Sequence, residues 1–191
     1  EAYSKGIRLV AGVDEAGRGP LAGPVVAASV ILPEGIFIEG LNDSKKLSPK
    51  KRDALFEIIE EKALSYAVGI VDEKYIDETN ILIATKKAMS IAVESLKLKP
   101  ELLLIDAVKL DSVDIDQISI VKGDTLSISI AAASIIAKVT RDRLIDEMDK
   151  EYPLYGFKKH KGYGTKEHIN AIKKFGICPI HRVSFTKKFL I

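Results

Sequence analysis

The chain has 191 residues, 47% of them hydrophobic and 29% charged, a composition that suits one globular domain with a proper core and excludes a disordered or fibrous chain. Apolar runs break well short of a membrane span, the opening residues carry no signal-like segment, and the one cysteine, Cys178, excludes an intramolecular disulfide. Net charge is only +2 but unevenly spread: residues 155–191 hold nine Lys or Arg against Glu167, and the remaining 20 basic and 26 acidic residues leave residues 1–154 at −6.

Leu9 to Asp14 reads as a first strand and Val25 to Leu32 as a second, joined by a turn short enough to make them antiparallel. A polar loop, Leu41 to Leu47, leads to Ser48-Pro49, an N-cap with proline at the first helical position. Leu55, Ile58 and Ile59 carry the apolar stripe of the helix that follows. Tyr66 to Val71 is a third strand and Asn80 to Leu96 a second long helix. Leu102 to Ile105 forms a fourth strand ending in Asp106, and Ile118 to Val121 a fifth. One helix is expected from Thr125 to about Glu151, a basic glycine-punctuated loop from Gly156 to Gly164, and a last helix from Thr165 to Phe175.

This order predicts an α/β protein with a central five-stranded mixed sheet flanked by helices and a small C-terminal helical portion. A right-handed crossover would lay the fourth strand parallel to the first, bringing Asp14 and Asp106 to one edge. Residues 1–191 are expected to form a single domain, with 152–191 as its basic, substrate-binding portion.

The stretch Val10 to Pro20 is the chemical centre of the chain. An apolar strand ends in Asp14 and Glu15, and Gly17-Arg18-Gly19 follows, where flexible backbone can approach an anion. Carboxylates beside an anion cradle suit a divalent cation bridging to a phosphate. Strand alternation lets both acids serve one site only if Glu15 already lies in the turn. The plainer alternative is a polar strand end. Asp124 is a fourth candidate ligand, with N-capping of the alanine-rich helix as its competing role. Lys45 is a candidate phosphate contact. Tyr163, between two glycines, is placed to stack on a sugar. His160 and His168 read as surface or hydrogen-bonding residues, and the three histidines lack zinc-site spacing.

Several separated motifs carry a family resemblance: Gly12-Val13-Asp14-Glu15-Ala16-Gly17-Arg18-Gly19-Pro20-Leu21-Ala22-Gly23-Pro24-Val25, Asn42-Asp43-Ser44-Lys45, Ile105-Asp106, Lys122-Gly123-Asp124, Ala131 to Val139, His160-Lys161-Gly162-Tyr163-Gly164-Thr165 and Pro179-Ile180-His181-Arg182. In this order they resemble the bacterial type 2 ribonucleases H. The resemblance implies a ribonuclease H-like fold and Mg2+- or Mn2+-dependent cleavage of RNA in RNA–DNA hybrids. It implies incision 5′ of single ribonucleotides in duplex DNA by a two-metal mechanism leaving 3′-hydroxyl and 5′-phosphate ends. Asp14, Glu15, Asp106 and Asp124 match the family's catalytic carboxylates. Gly17, Arg18 and Gly19 match its ribonucleotide-reading segment, and Tyr163 its junction tyrosine. A cytoplasmic monomer without a membrane partner or partner-binding tail is expected. A non-catalytic nucleic-acid-binding module and a DNA-directed nuclease are the rival readings.

Overall fold

The computed structural model describes residues 6–41 and 47–190. Five strands form one mixed sheet: β1 (Val10–Ala16), β2 (Val25–Ile31), β3 (Ser65–Val71), β4 (Leu102–Asp106) and β5 (Asp116–Ile120), in the order β3-β2-β1-β4-β5. β1 and β2 are antiparallel, while β4 lies parallel to β1 and β5 parallel to β4. Helices α1 (Pro49–Lys62), α2 (Glu73–Glu78) and α3 (Ile81–Glu94) precede β4. After β5 come α4 (Gly123–Leu126), α5 (Ile128–Glu151), α6 (Phe157–His160), α7 (Lys166–Phe175) and α8 (Val183–Thr186).

One sheet face packs on α3, where Ala84, Ala88 and Met89 join Ala11, Val13 and Leu103 in a buried cluster. The other face packs on α1 and α5, through Leu55, Ile59, Ala132 and Ile136 against Ala28 and Val30. Buried on both faces, β2 reads as an apolar run broken only by Ser29 instead of an alternating one. The first half of α5 is likewise buried almost all round, which its alanines and isoleucines allow. Gly12 marks the closest approach of helix to sheet: a Cβ there would stand 2.0 Å from the backbone carbon of Ser129.

The structure differs from the expected elements at several points, one of them α2, which was not among the expected helices. β1 continues to Ala16, because Glu15 and Ala16 pair with Ala27 and Val26 of β2. β5 begins at Asp116. The expected helix from Thr125 is two helices, and the break is Ser127, whose extended backbone and hydroxyl cap α5 by accepting the Ile130 N–H. Asp124 therefore does not open the alanine-rich helix; it sits in the first turn of α4. The glycine-punctuated loop contains α6, and α8 follows α7. Four-residue helices span about one turn, too short for apolar periodicity to show.

Candidate active site

Val13 pairs with Ile105 across the parallel β1–β4 ladder, so Asp14 and Asp106 leave the sheet at the same edge. Asp14 is buried; its Oδ1 accepts the Glu15 N–H at 2.7 Å, and its side chain is hydrogen-bonded to Ser134 of α5. Burial first, and then the charge of Glu15, push its carboxyl well above the usual carboxylate range, with Asp106 adding to the rise and the two hydrogen bonds opposing it. Asp106 Oδ1 accepts the Gly123 N–H at 2.9 Å, tying the end of β4 to the turn that carries buried Asp124. Glu15 is half-buried, with Oε1 3.5 Å from Arg18 Nη1.

These are hard oxygen donors, and the excess negative charge around Asp14 is what a divalent cation would neutralise, so the donor set fits such an ion in kind. Among the described residues, no three His, Cys, Asp or Glu side chains lie close enough to grip one metal ion. Glu15 stands within the strand, not in the turn, so alternation separates it from Asp14. Gripping an ion would require the carboxylates to draw together.

Glu15, Gly17, Arg18, Gly19, Lys138 and Tyr163 line one opening of about 260 Å³. Tyr163 is 44% exposed, and a methyl group on Gly19 would meet its ring at 3.6 Å. Lys138 is held by Asp142 at 2.6 Å; burial pushes its ammonium down and Asp142 opposes the push. Lys45 lies outside the described residues, as do Asn42, Asp43, Ser44 and Lys46.

His160, His168 and His181 are buried, not on the surface. They form the wall behind Tyr163. The Tyr163 carbonyl can only accept, so His168 Nδ1, 2.9 Å away, donates to it. His168 Nε2 must then accept from His181 Nε2 at 3.0 Å, and His181 Nδ1 accepts the Cys178 N–H at 2.9 Å. One chain of neutral rings thus runs from Cys178 to the Tyr163 backbone, with His160 stacked on His168 at 4.5 Å between centroids.

Sequence reasoning missed Arg141 and Arg182, both fully buried and bonded to backbone carbonyls around the Gly17–Pro24 turn. The motif containing Arg182 was the only signal. Sequence also did not reveal a groove of about 550 Å³ that adjoins the opening through Lys138 and runs between α1, α5 and α6. Arg52, Arg143, Lys158, Lys159 and Lys161 join Lys138 along it, against Asp53, Asp142 and Asp146, so its lining is net positive. Among the described residues no helix is long and apolar enough to cross a membrane.

A family model described as Ribonuclease HII matches residues 11–188. Ribonuclease HII of Acetivibrio thermocellus is 69% identical over 191 residues, covering all of this chain and 75% of that protein. The crystal structure of ribonuclease H2 from Pyrococcus horikoshii superposes with a TM-score of 0.78 at 32% identity, covering 95% of this chain and 96% of that one. A Bst-RNase HIII structure in complex with Mn2+ superposes at 0.70 with 19% identity over 99% of this chain and 71% of its own, a likeness of fold.

Proposed function

The chain belongs to the ribonuclease HII family, whose members cleave the RNA strand of RNA–DNA hybrids, and on that premise we propose that it also incises duplex DNA 5′ of a single embedded ribonucleotide. The observation that carries this reading is the opening shared by Glu15, the Gly17–Gly19 turn and Tyr163, one strand residue away from Asp14. An acid pair for the chemistry, a glycine turn for the junction phosphate and 2′-hydroxyl, and a ring for the sugar belong together in a junction-reading nuclease.

Asp14, Glu15, Asp106 and Asp124 would hold Mg2+ or Mn2+, and the Mn2+ complex of the HIII relative accords with that donor chemistry. Two such ions would supply activation of the attacking water and neutralisation of the leaving oxygen. The protein's own part is placement. Ser134 and the Glu15 N–H orient the Asp14 carboxylate, and the Gly123 N–H orients that of Asp106. Arg18 and the glycine backbone bind the scissile phosphate, while Tyr163 fixes the ribose. Water oxygen bonds to phosphorus as the P–O3′ bond breaks, giving 3′-hydroxyl and 5′-phosphate ends. Residues 152–191 serve as the basic substrate-binding portion of this single domain, and the groove at Lys158, Lys159 and Lys161 is their contribution.

The test is a DNA duplex carrying one ribonucleotide, beside an all-DNA control, in Mg2+ and then in EDTA. A single Mg2+-dependent nick 5′ of the ribonucleotide, absent from the control, is expected. Cleavage of both duplexes would favour a DNA-directed nuclease. Binding without cleavage would favour a non-catalytic module.

A further inference from the structure

We propose that Arg141 and Arg182 clamp the Gly17–Gly19 turn and the Tyr163 loop into one rigid reader, and that this fixed spacing sets the preference for a single ribonucleotide over a continuous RNA strand. The inference rests on the junction-reading function above and concerns residues that touch no substrate.

Arg182 reaches back across most of the chain to the turn after β1. Its Nη2 donates to the carbonyls of Gly17 at 2.6 Å and Gly23 at 2.8 Å, and its Nη1 to Pro20 at 2.9 Å and Arg18 at 3.1 Å. Its Nε also reaches Gly23 O at 2.9 Å. A trans peptide sets its N–H opposite its C=O. Drawing the Gly17 and Arg18 carbonyls onto the guanidinium therefore turns the N–H groups of Arg18 and Gly19 away from it. Among the described residues neither N–H has a hydrogen-bond partner, and both residues line the opening with Tyr163. The clamp thus presents two donors to a phosphate or a 2′-hydroxyl.

Arg141 couples that turn to the second loop. Nε and Nη2 bond the carbonyls of Pro24 and Ala22, and Nη1 bonds that of Lys161, each at 3.0 Å. Leu21 N–H closes the same join onto Gly162 O at 2.8 Å. Gly17 is tied in sterically: its φ is +99°, and a Cβ would lie 2.2 Å from Arg141 Nε.

Both guanidiniums are fully buried, and among the described residues neither forms an ion pair within 4 Å. Burial disfavours both charges; the carbonyl dipoles offset that cost, helped by the charges of Glu73 and Asp77 at Arg182 and of Asp142 at Arg141. A packing role would need no charge. Five donors in a planar fork can span separated carbonyls, and the point-like ammonium of lysine cannot.

The experiment compares Arg141→Lys and Arg182→Lys with the unaltered protein. It measures kcat/KM on a one-ribonucleotide duplex and on an all-RNA hybrid, with thermal melts alongside. The expected result is a selectivity ratio at least tenfold lower, with the larger loss on the one-ribonucleotide duplex. Adding Tyr163→Ala to Arg141→Lys should cost no further selectivity, because the clamp acts through that loop. An unchanged ratio with a lowered Tm would make both arginines merely structural and overturn the proposal. Hydrogen exchange on the unaltered protein decides the case if the variants fail to fold. The amides of Leu21, Gly23 and Tyr163 should share one opening free energy, and independent openings would sink the clamp. If the unaltered protein leaves the one-ribonucleotide duplex uncut, the proposed function fails, and the exchange data still decide the clamp.

Discussion

Asp14 lies buried where Glu15 and Asp106 both oppose its charge, and two hydrogen bonds only partly offset that. A carboxyl whose folded pKa is raised lends stability below the ordinary value of 3.8 and loses it as pH rises through the folded value. At neutral pH, without a divalent cation, Asp14 therefore works against the fold. Asp14→Asn should abolish turnover, leave hybrid binding largely intact, and raise Tm at pH 7 in EDTA. Each 1 kcal/mol relieved would appear as roughly 2–4 °C in a chain of this size. Loss of binding in step with activity, or a lower Tm, would count against a strained metal-binding role. Asp14 and Asp106 were legible in sequence because each ends an apolar run. Arg141 and Arg182 were not, since nothing in the sequence around a charged residue tells whether carbonyls from more than a hundred residues away will surround it.

The short C-terminal helices illustrate what periodicity misses. Around α6 and α7, a small apolar cluster centred on Phe157 is joined by side-chain polarity: the neutral chain Cys178–His181–His168–Tyr163 holds the Tyr163 loop from behind. Burial pushes His168 and His181 down to about 4 from an ordinary 6.5. The folded form thus favours the neutral rings, and their contribution is present above pH 6.5 and lost as pH falls through about 4. Protonating His168 Nε2 would also turn the acceptor of the His181 N–H into a second donor. Urea midpoints should fall between pH 6.5 and 4, and less steeply in His168→Gln. An equal slope in the variant would place the loss elsewhere, among the carboxylates. For His160 and His168 the sequence offered surface or hydrogen-bonding roles: the hydrogen bonds are there, to the carbonyls of Tyr155 and Tyr163, but the exposure is not, because burial of a histidine depends on partners that α7 and the segment after it supply together.

Across the whole molecule, the split between an acidic body and a basic C-terminal fifth was readable by counting, but the groove that uses it was not. Arg52 arrives from α1, Lys138 and Arg143 from α5, and Lys158 and Lys159 from α6, so the track exists only once three helices pack. It meets the candidate active site at Lys138, the one lysine that lines both. A nucleic-acid backbone running from the opening into this groove would release counterions as it neutralises phosphates, and each cation engaged would steepen the salt dependence of binding by about 0.9. Lys158→Gln with Lys159→Gln should therefore weaken hybrid binding at low salt and reduce the slope of log K against log salt by about 2. The Mg2+ requirement should not change, because neither lysine adjoins the carboxylates. A weaker affinity with an unaltered slope would mean that the two lysines act through the fold around α6, and would move the duplex path off this groove.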